Sequence, residues 1–156
     1  MSGKVLIAFD DSANALRAVE FVAKSFSRDR QVTLFSTIPD TAAICDMNSP
    51  SLVPYFKSQQ TAFCSLEDKK RALVAEAMEK AKQLLVEAGF AADSVTTRID
   101  VAKQGAAKDI VNAADAGYDT IVMGRRGMSA VKEFILGSVS QKVLHLAQDK
   151  SVVLVD

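Results

Sequence analysis

The sequence has little of what metal, redox and nucleic-acid sites are usually built from. It contains one histidine, two cysteines and no tryptophan. The cysteines, Cys45 and Cys64, stand far apart, and they form neither a CxxC pair nor a zinc-binding pattern. We expect both thiols to be reduced, because a disulfide is rare in the reducing cytosol.

Neither an excess of one charge nor a long apolar run is present. Lysine plus arginine (19) equals aspartate plus glutamate (19), so there is no electrostatic reason to expect binding to nucleic acid or to a membrane surface. The apolar run at the start, Val5–Phe9, is too short for a signal-peptide core or a membrane span. We therefore expect a cytoplasmic protein that binds neither nucleic acid nor membranes.

The length and composition are those of one ordinary soluble domain. The 156 residues fit a single domain over 1–156, which can bury roughly two-thirds of its unfolded surface. The chain is 49% apolar and 24% charged, close to the average for globular proteins. A core can therefore form without disulfides or metals.

Five short runs with strand character alternate with segments of helical periodicity. The first and fourth are almost wholly apolar, which predicts strands buried on both faces of a parallel sheet, whereas the third alternates Val95, Thr97 and Ile99 with Thr96, Arg98 and Asp100. The predicted strands are Lys4–Phe9, Gln31–Ile38, Val95–Val101, Asp119–Met123 and Val152–Val155. The alternation predicts an α/β fold: an open five-stranded parallel sheet with helices on both faces, of the Rossmann-like kind.

The intervening segments carry helix signals of different strength. Asp11 or Ser12 can cap a first helix, whose apolar stripe is predicted to comprise Leu16, Val19, Ala23 and Phe26. A long helix over Ser65–Ala88 opens with a Ser65–Asp68 box and ends at Gly89; its predicted stripe is Leu66, Leu73, Ala77, Ala81, Leu84 and Ala88. Shorter helices are predicted over Ala106–Ala116, ended by Gly117, and over Ser138–Ala147. The segment Thr41–Ala62 is interpreted as a long loop that could contain a helical turn near Tyr55–Lys57.

Glycine and serine are concentrated after the fourth predicted strand. Gly124 follows the strand directly, Gly127 comes three residues later, and Gly137-Ser138 stands at the start of the last helix. Ligands of open α/β sheets bind at the carboxyl ends of the strands, and a helix N-terminus offers free N–H groups to an anion. Glycine allows a close backbone approach or a positive φ. The pattern therefore indicates a phosphate site, to which Arg125 or Arg126 could add a charge.

Two well-known nucleotide motifs are missing from the sequence. There is no G-x-x-x-x-G-K-[ST] segment, which excludes a P-loop ATPase, and no G-x-G-x-x-G follows the first strand, so dinucleotide binding is not supported. His145 is the only histidine, and no nucleophile is placed to act with it. We assign no catalytic residue and no protein ligand for a metal.

At this point the sequence resembles the universal stress protein family. Nucleotide-binding members carry G-x2-G-x9-G-[ST] after the fourth strand, and Gly124, Gly127, Gly137 and Ser138 reproduce this motif. A first strand with Asp10 at its end and Ser12 after it is also typical. Two positions depart from the family's pattern: Asp11 replaces a frequent glycine and Ser151 replaces a frequent proline. The resemblance covers the whole chain and implies an adenine-nucleotide α-hydrolase-like fold.

The resemblance also implies a ligand and a role for each motif residue. The ligand would be ATP or AMP, and Mg²⁺ or Mn²⁺ could be bound through its phosphates. The backbone at Phe9 and the side chains of Asp10 and Thr37 would line the adenine and ribose. The ribose and phosphates would be held by Met123, Gly124, Arg126 and Gly127. The phosphates would also be held at the start of the last helix, by Gly137, Ser138, Val139 and Ser140.

Three functions remain open from the sequence. The first is a nucleotide-binding protein with a regulatory or protective role in the stress response. The second is a slow ATPase or phosphotransferase, for which only Asp10 and Arg126 can be nominated. The third is a dimerising scaffold with an empty site. Because Val152–Val155 is apolar and would be hazardous as an open edge, we expect a homodimer paired through this strand, as the resemblance also implies.

Overall fold

The computed structural model describes residues 3–10, 12–46, 54–125 and 137–156. Its strands are β1 (Lys4–Ala8), β2 (Gln31–Ile38), β3 (Val95–Val101), β4 (Thr120–Gly124) and β5 (Ser151–Val155). Its helices are α1 (Ala13–Ser25), α2 (Ala42–Cys45), α3 (Pro54–Glu87), α4 (Ala106–Ala114) and α5 (Ser138–Leu146), with a short 3-10 turn at Ala92–Ser94.

The strands form one parallel sheet in the order β3-β2-β1-β4-β5. This confirms the predicted fold class. The predicted bounds of β2 and β3 agree with the structure to the residue; β1 and β5 differ by one residue at one end, and β4 by one residue at both ends. Phe9, predicted as the last residue of β1, lies just beyond it, although its N–H still donates to the carbonyl of Phe35 at 2.8 Å.

Helices cover both faces of the sheet and form two apolar cores. Val5 and Ile7 of β1 lie in the core beneath α1 and α3, while Leu6 between them lies in the core beneath α4 and α5. All three side chains are fully buried. The continuous apolar run in β1 thus has the cause expected from the sequence, because alternate side chains point to opposite covered faces.

The first helix is capped as predicted, and Val19, Ala23 and Phe26 of its predicted stripe pack in the core. Ser12 Oγ accepts a hydrogen bond from the N–H of Ala15 at 3.1 Å, which is the usual role of an N-cap serine. Leu16, expected in the buried stripe, is 42% exposed. The buried face is formed mainly by alanine and valine: Ala15, Ala18, Val19, Val22 and Ala23. Small side chains let α1 pack close to the sheet.

The loop predicted over Thr41–Ala62 is wrong. Part of this segment is helix α2, and α3 already includes residues from Pro54 onward. The Ser65–Asp68 box consequently lies inside α3 instead of at its start. Periodicity failed here because the first half of α3 has no buried face: the buried residues of this helix are Met78, Ala81 and Leu85, while Leu66 and Leu73 are more than half exposed.

The expectation of two reduced thiols is also wrong. Cys45 at the end of α2 and Cys64 in α3 form a disulfide, with their Cα atoms 5.8 Å apart, a separation typical of the bond. The helical start of α3 explains the error, because it places Cys64 beside α2. A segment interpreted as an irregular loop gave no reason to bring the two residues together.

Glycines end two of the helices in the way the sequence indicates. Gly89 follows α3 with φ of 112°, and Gly117 follows α4 with φ of 93°, in the left-handed region that favours glycine. The helix predicted over Ala106–Ala116 ends two residues earlier, at Ala114. Among the described helices, none is both long enough and apolar enough to span a bilayer.

Candidate functional site

A cavity of about 280 Å³ opens at the carboxyl ends of β1 and β4. From β1 the chain proceeds to β2 and β3 on one side of the sheet, whereas β4 and β5 lie on the other. The strand order therefore reverses between β1 and β4, which is where ligands of open α/β sheets bind. Every predicted site residue in the described part of the chain lines this cavity: Phe9, Asp10, Thr37, Met123, Gly124, Gly137, Ser138, Val139 and Ser140.

The segment after β1 places a carboxylate at the cavity. Asp10 Oδ1 accepts a hydrogen bond from the N–H of Ser12 at 3.0 Å, and Ser12 in turn caps α1. The aspartate is thereby fixed by the turn that starts the helix. It is the only acidic residue among the described residues that line the cavity, so it is the one group there that can accept hydrogen bonds as an anion.

Gly124 has a packing role that the sequence did not indicate. Its φ is not positive, unlike that of Gly89, Gly105 and Gly117. A Cβ atom at this position would lie 2.7 Å from the Cβ atom of Asn14 and 2.9 Å from its backbone carbon. The absence of a side chain thus allows β4 to pass close to the first turn of α1, and both elements contribute to the wall of the cavity.

The first turn of α5 lines the site. Gly137 is the N-cap residue, with φ of −62° and ψ of 153°, so neither glycine at the described ends of the loop adopts a positive φ. Within the described ranges no side chain caps this helix, and the first N–H groups of a helix have no partner inside it. The N–H groups of Ser138 and Val139 can therefore receive an anion, which the helix dipole also favours.

Ser140 has a structural bond that the sequence did not suggest. Its hydroxyl is buried and donates to the carbonyl oxygens of Gly124 and Arg125, at 3.2 and 3.1 Å. A hydroxyl has a single proton, so this proton is used inside the protein. Ser138, by contrast, is exposed at the cavity and is free to donate.

The two described ends of the glycine loop are held together by backbone bonds. The N–H of Gly137 donates to the carbonyl of Arg125 at 3.1 Å, and the N–H of Arg125 donates to the carbonyl of Val155 at 2.8 Å. The side chain of Arg125 lies 3.8 Å from the carboxylate of Asp156. It pairs beyond the end of β5 and does not line the cavity.

Three positions weighed in the sequence lie outside the described residues. They are Asp11, Arg126 and Gly127. His145 is described and lies exposed on α5, where it does not line this cavity. In the ranges that the structure describes, no three histidine, cysteine, aspartate or glutamate side chains are grouped so as to hold a metal ion.

Part of the cavity wall was missed by the sequence reasoning. The missed residues are small or apolar: Ala8, Ser12, Ala15, Phe35, Ser36, Ala106 and Ile110. Ala106 and Ile110 come from α4, whose N-cap residue Gly105 has φ of 99°. A glycine directly before a helix, four residues after β3, was the available signal for this wall.

Comparisons with known proteins agree with this architecture. A family model described as the universal stress protein family matches residues 1–156. The chain is 30% identical over 148 residues to universal stress protein YxiE of Bacillus subtilis, which covers 94% of this chain and 95% of that protein.

Solved structures with the same fold cover nearly the whole chain. The structure of hypothetical protein MJ0577, solved to assign its biochemical function, aligns with a TM-score of 0.73 and 27% identity over 99% of this chain and 96% of that one. A universal stress protein in complex with cAMP aligns with a TM-score of 0.62 and 19% identity over 99% and 96% of the two chains.

Proposed function

Because this chain belongs to the universal stress protein family, we propose that it binds an adenine nucleotide, ATP or AMP, in the cavity between β1 and β4. One observation carries the proposal: the site residues named from the sequence and described by the structure all line the same cavity. A similar fold is known in complex with cAMP, itself an adenine nucleotide.

The chemistry of the wall suggests how the nucleotide lies. Ile110 and Ala106 give an apolar surface for the base, as in most small-molecule sites. Asp10 and Thr37 offer oxygen atoms to the ribose and base edges. The uncapped start of α5, with the Ser138 hydroxyl, receives the phosphates. In this proposal Arg126 and Gly127 complete the phosphate side.

A divalent ion fits this site only through the nucleotide. Asp10 is the single carboxylate on the described wall, and Mg²⁺ commonly takes one or two protein carboxylates with phosphates and water as its other ligands. Mg²⁺ or Mn²⁺ would accordingly be held by the phosphates, with Asp10 as the protein ligand within reach.

For the protein's role we propose regulation or protection during stress in the cytoplasm. The fraction of protein that holds nucleotide would control this role. Occupancy stabilises the folded state in proportion to the logarithm of ligand concentration, so the protein's stability reports the nucleotide level. The alternative, a slow ATPase, is favoured by one feature only: the Asp10 carboxylate, which could orient a water molecule.

We also propose a homodimer that pairs through β5. This strand is at the edge of the sheet, and residues Val152–Val155 are only partly buried. An apolar edge strand left open invites uncontrolled pairing. Pairing with the same strand of a second copy covers it by two-fold symmetry.

The nucleotide proposal is tested on the purified protein. Denaturation should release ATP or AMP into the supernatant, and the emptied, refolded protein should regain thermal stability when either nucleotide is added. If ATP incubated with magnesium stays intact, binding is the function; turnover that disappears in Asp10→Ala identifies the ATPase instead. Absence of both released nucleotide and a thermal shift would contradict the proposal.

A further inference from the structure

A second cleft opens beside the nucleotide cavity, between α4 and α5. Its volume is about 460 Å³. The two spaces share Ala106 and Val139 in their walls. They therefore adjoin at these two residues, one at the start of α4 and one at the start of α5.

The side chains around this cleft carry one sign of charge. Lys108 of α4 lines it together with Lys142 and His145 of α5, and the described lining contains no aspartate or glutamate. Neither lysine forms an ion pair with any residue that the structure describes. Two unpaired cations that face one cleft give it a positive potential.

The acidic residue nearest in sequence is turned away from the cleft. Asp109, adjacent to Lys108, accepts hydrogen bonds from the backbone N–H groups of Lys103 and Gln104 at 2.9 and 3.1 Å. It lines a different pocket, on the other side of α4, together with Lys103 and Asp100. Asp109 is thus committed to the turn before α4 and does not neutralise the lysines.

Both helices direct further positive character to the same space. Gly105 is the N-cap of α4, and no side chain of the described residues caps that helix, so its first N–H groups are open to the cleft. On α5, Lys142 lies one turn after Val139. Side chains on a helix tilt toward its N-terminus, which brings Lys142 back toward the phosphates proposed at Ser138.

We propose that this cleft is a second anion subsite, which receives a phosphate group beyond those held at the start of α5. The inference rests on the proposed nucleotide binding for the position of the first phosphate. The recognised group is phosphate, supplied either by the distal part of the same nucleotide or by a separate inorganic oligophosphate. It follows that the protein binds ATP more tightly than AMP, and that Lys108 and Lys142 cause the difference.

The test measures affinity for AMP, ADP, ATP and inorganic tripolyphosphate by calorimetry in magnesium-free buffer. The variants are Lys108→Gln, Lys142→Gln and the double substitution. Lys103→Gln is the matched control, because it removes the same charge from the turn before α4 but faces the opposite pocket. Thermal unfolding without ligand checks that all four variants fold alike.

We expect ATP to bind wild-type protein at least about tenfold more tightly than AMP, which corresponds to one charge-assisted contact. The double variant should lose this preference, AMP affinity should not change, and Lys103→Gln should behave as wild type. Tripolyphosphate that competes with ATP but not with AMP would identify the distal phosphates of ATP as the occupant. Tripolyphosphate that binds beside ATP as well as beside AMP, and needs Lys108 and Lys142, would identify a separate oligophosphate.

Other results separate this inference from the proposed function. Equal affinity for AMP and ATP in the wild type, or an equal loss of ATP affinity in Lys103→Gln and Lys142→Gln, overturns the subsite but leaves nucleotide binding intact. Tripolyphosphate binding that needs Lys142, in a protein that binds no nucleotide, supports the subsite and overturns the proposed function.

Discussion

Gly124 in β4 lies so close to Asn14 in α1 that a Cβ atom would be 3.0 Å from the Asn14 carbonyl oxygen. Backbone cannot move aside as a flexible side chain can. We therefore expect Gly124→Ala to lower the free energy of unfolding by about 1–3 kcal/mol, the usual cost of overpacking, measured by urea denaturation.

A double-mutant cycle with Asn14→Gly identifies the cause. This change removes the Asn14 Cβ atom, the nearest atom at 2.7 Å, but leaves the backbone atoms in place. The double variant should therefore lose less free energy of unfolding than the sum of the two single variants, which is a favourable coupling energy. Strict additivity of the two substitutions would contradict the proposed contact.

The two serines at the start of α5 should separate stability from binding. Ser140 is buried and bonded to the carbonyl oxygens of Gly124 and Arg125, so Ser140→Ala should lower the free energy of unfolding by about 1 kcal/mol. Ser138 is exposed, and Ser138→Ala should change stability by less than about 0.5 kcal/mol. It should weaken nucleotide binding instead. If denaturation showed that Ser138→Ala lowers stability, and calorimetry showed that Ser140→Ala weakens nucleotide binding, Ser140 and not Ser138 would be the residue that contacts the nucleotide.

Strand β5 allows a sharp test of the dimer. The N–H of Ser151 donates to Asp119 at 3.0 Å, toward β4. Because N–H groups alternate in direction along a strand, that of Val152 points to the open edge and that of Val153 toward β4. Val152→Pro should therefore yield a folded monomer in sedimentation analysis.

The control for this test is Val153→Pro, which removes a bond within the sheet. We expect it to destabilise the protein substantially, because proline cannot donate to the ladder. If Val152→Pro sediments as a dimer with the wild-type dissociation constant, pairing through β5 is excluded.

The disulfide between Cys45 and Cys64 should stabilise the protein in a way that reductant abolishes. The bond closes a loop of 19 residues, for which the chain-entropy model gives about 3 kcal/mol. Dithiothreitol should lower the unfolding free energy of the wild type by up to this amount. The double substitution Cys45→Ser with Cys64→Ser should not respond to reductant. Two thiols that react with Ellman's reagent in non-reduced protein would show that the bond does not form.

Arg98 and Asp100 form a bidentate pair on β3 whose contribution depends on pH. Arg98 Nε and Nη2 donate to the two oxygens of Asp100 at 2.9 and 2.6 Å, and these bonds lower the pKa of Asp100. Since both side chains are partly exposed, the pair should contribute no more than about 1 kcal/mol.

The sign of this pH dependence follows from the lowered pKa. The contribution is fully present above the ordinary aspartate pKa of about 3.9 and is lost as pH falls below it, through the folded-state pKa. Asp100→Asn should therefore cost stability at pH 7 but almost none near pH 2. A difference that stays constant across this range in denaturation curves would exclude the ion pair as its cause.

The sequence predicts the sheet well because burial on both faces leaves an unmistakable apolar run. Val5, Leu6 and Ile7 are fully buried, although they face two different cores. Strand boundaries are off by a residue where backbone pairing continues into a turn, as at Phe9. These errors do not move the site, because it lies beyond the strand ends.

The region from 41 to 66 could not be predicted by the same means. Three large apolar side chains on α3 are more than half exposed: Tyr55, Phe56 and Leu66. Because their spacing does not follow a buried face, hydrophobic periodicity could not predict the helix here. Pro54 was interpreted as a loop residue, although proline is tolerated in the first turn of a helix. The disulfide followed from this helix and could not be seen without it.

The candidate site was predictable in its polar half and not in its apolar half. The spacing of glycine and serine after β4, together with Asp10 after β1, forms a recognisable pattern, whereas Ala106 and Ile110 resemble any core residues until α4 is placed. The reason for Gly124 was also hidden, since contact with Asn14 depends on the packing of α1.

The hydrogen bond between the Gly137 N–H and the Arg125 carbonyl is 3.1 Å long. It separates what the fold requires of the sequence from what ligand binding requires. It closes the ends of segment 126–136 independently of what the segment contains, so the domain should accept replacement loops of other lengths as a grafting position. The spacing of nine residues between Gly127 and Gly137 then serves the proposed ligand and not the fold. A shortened loop would make the domain a scaffold free for new binding functions, with the sheet left as it is.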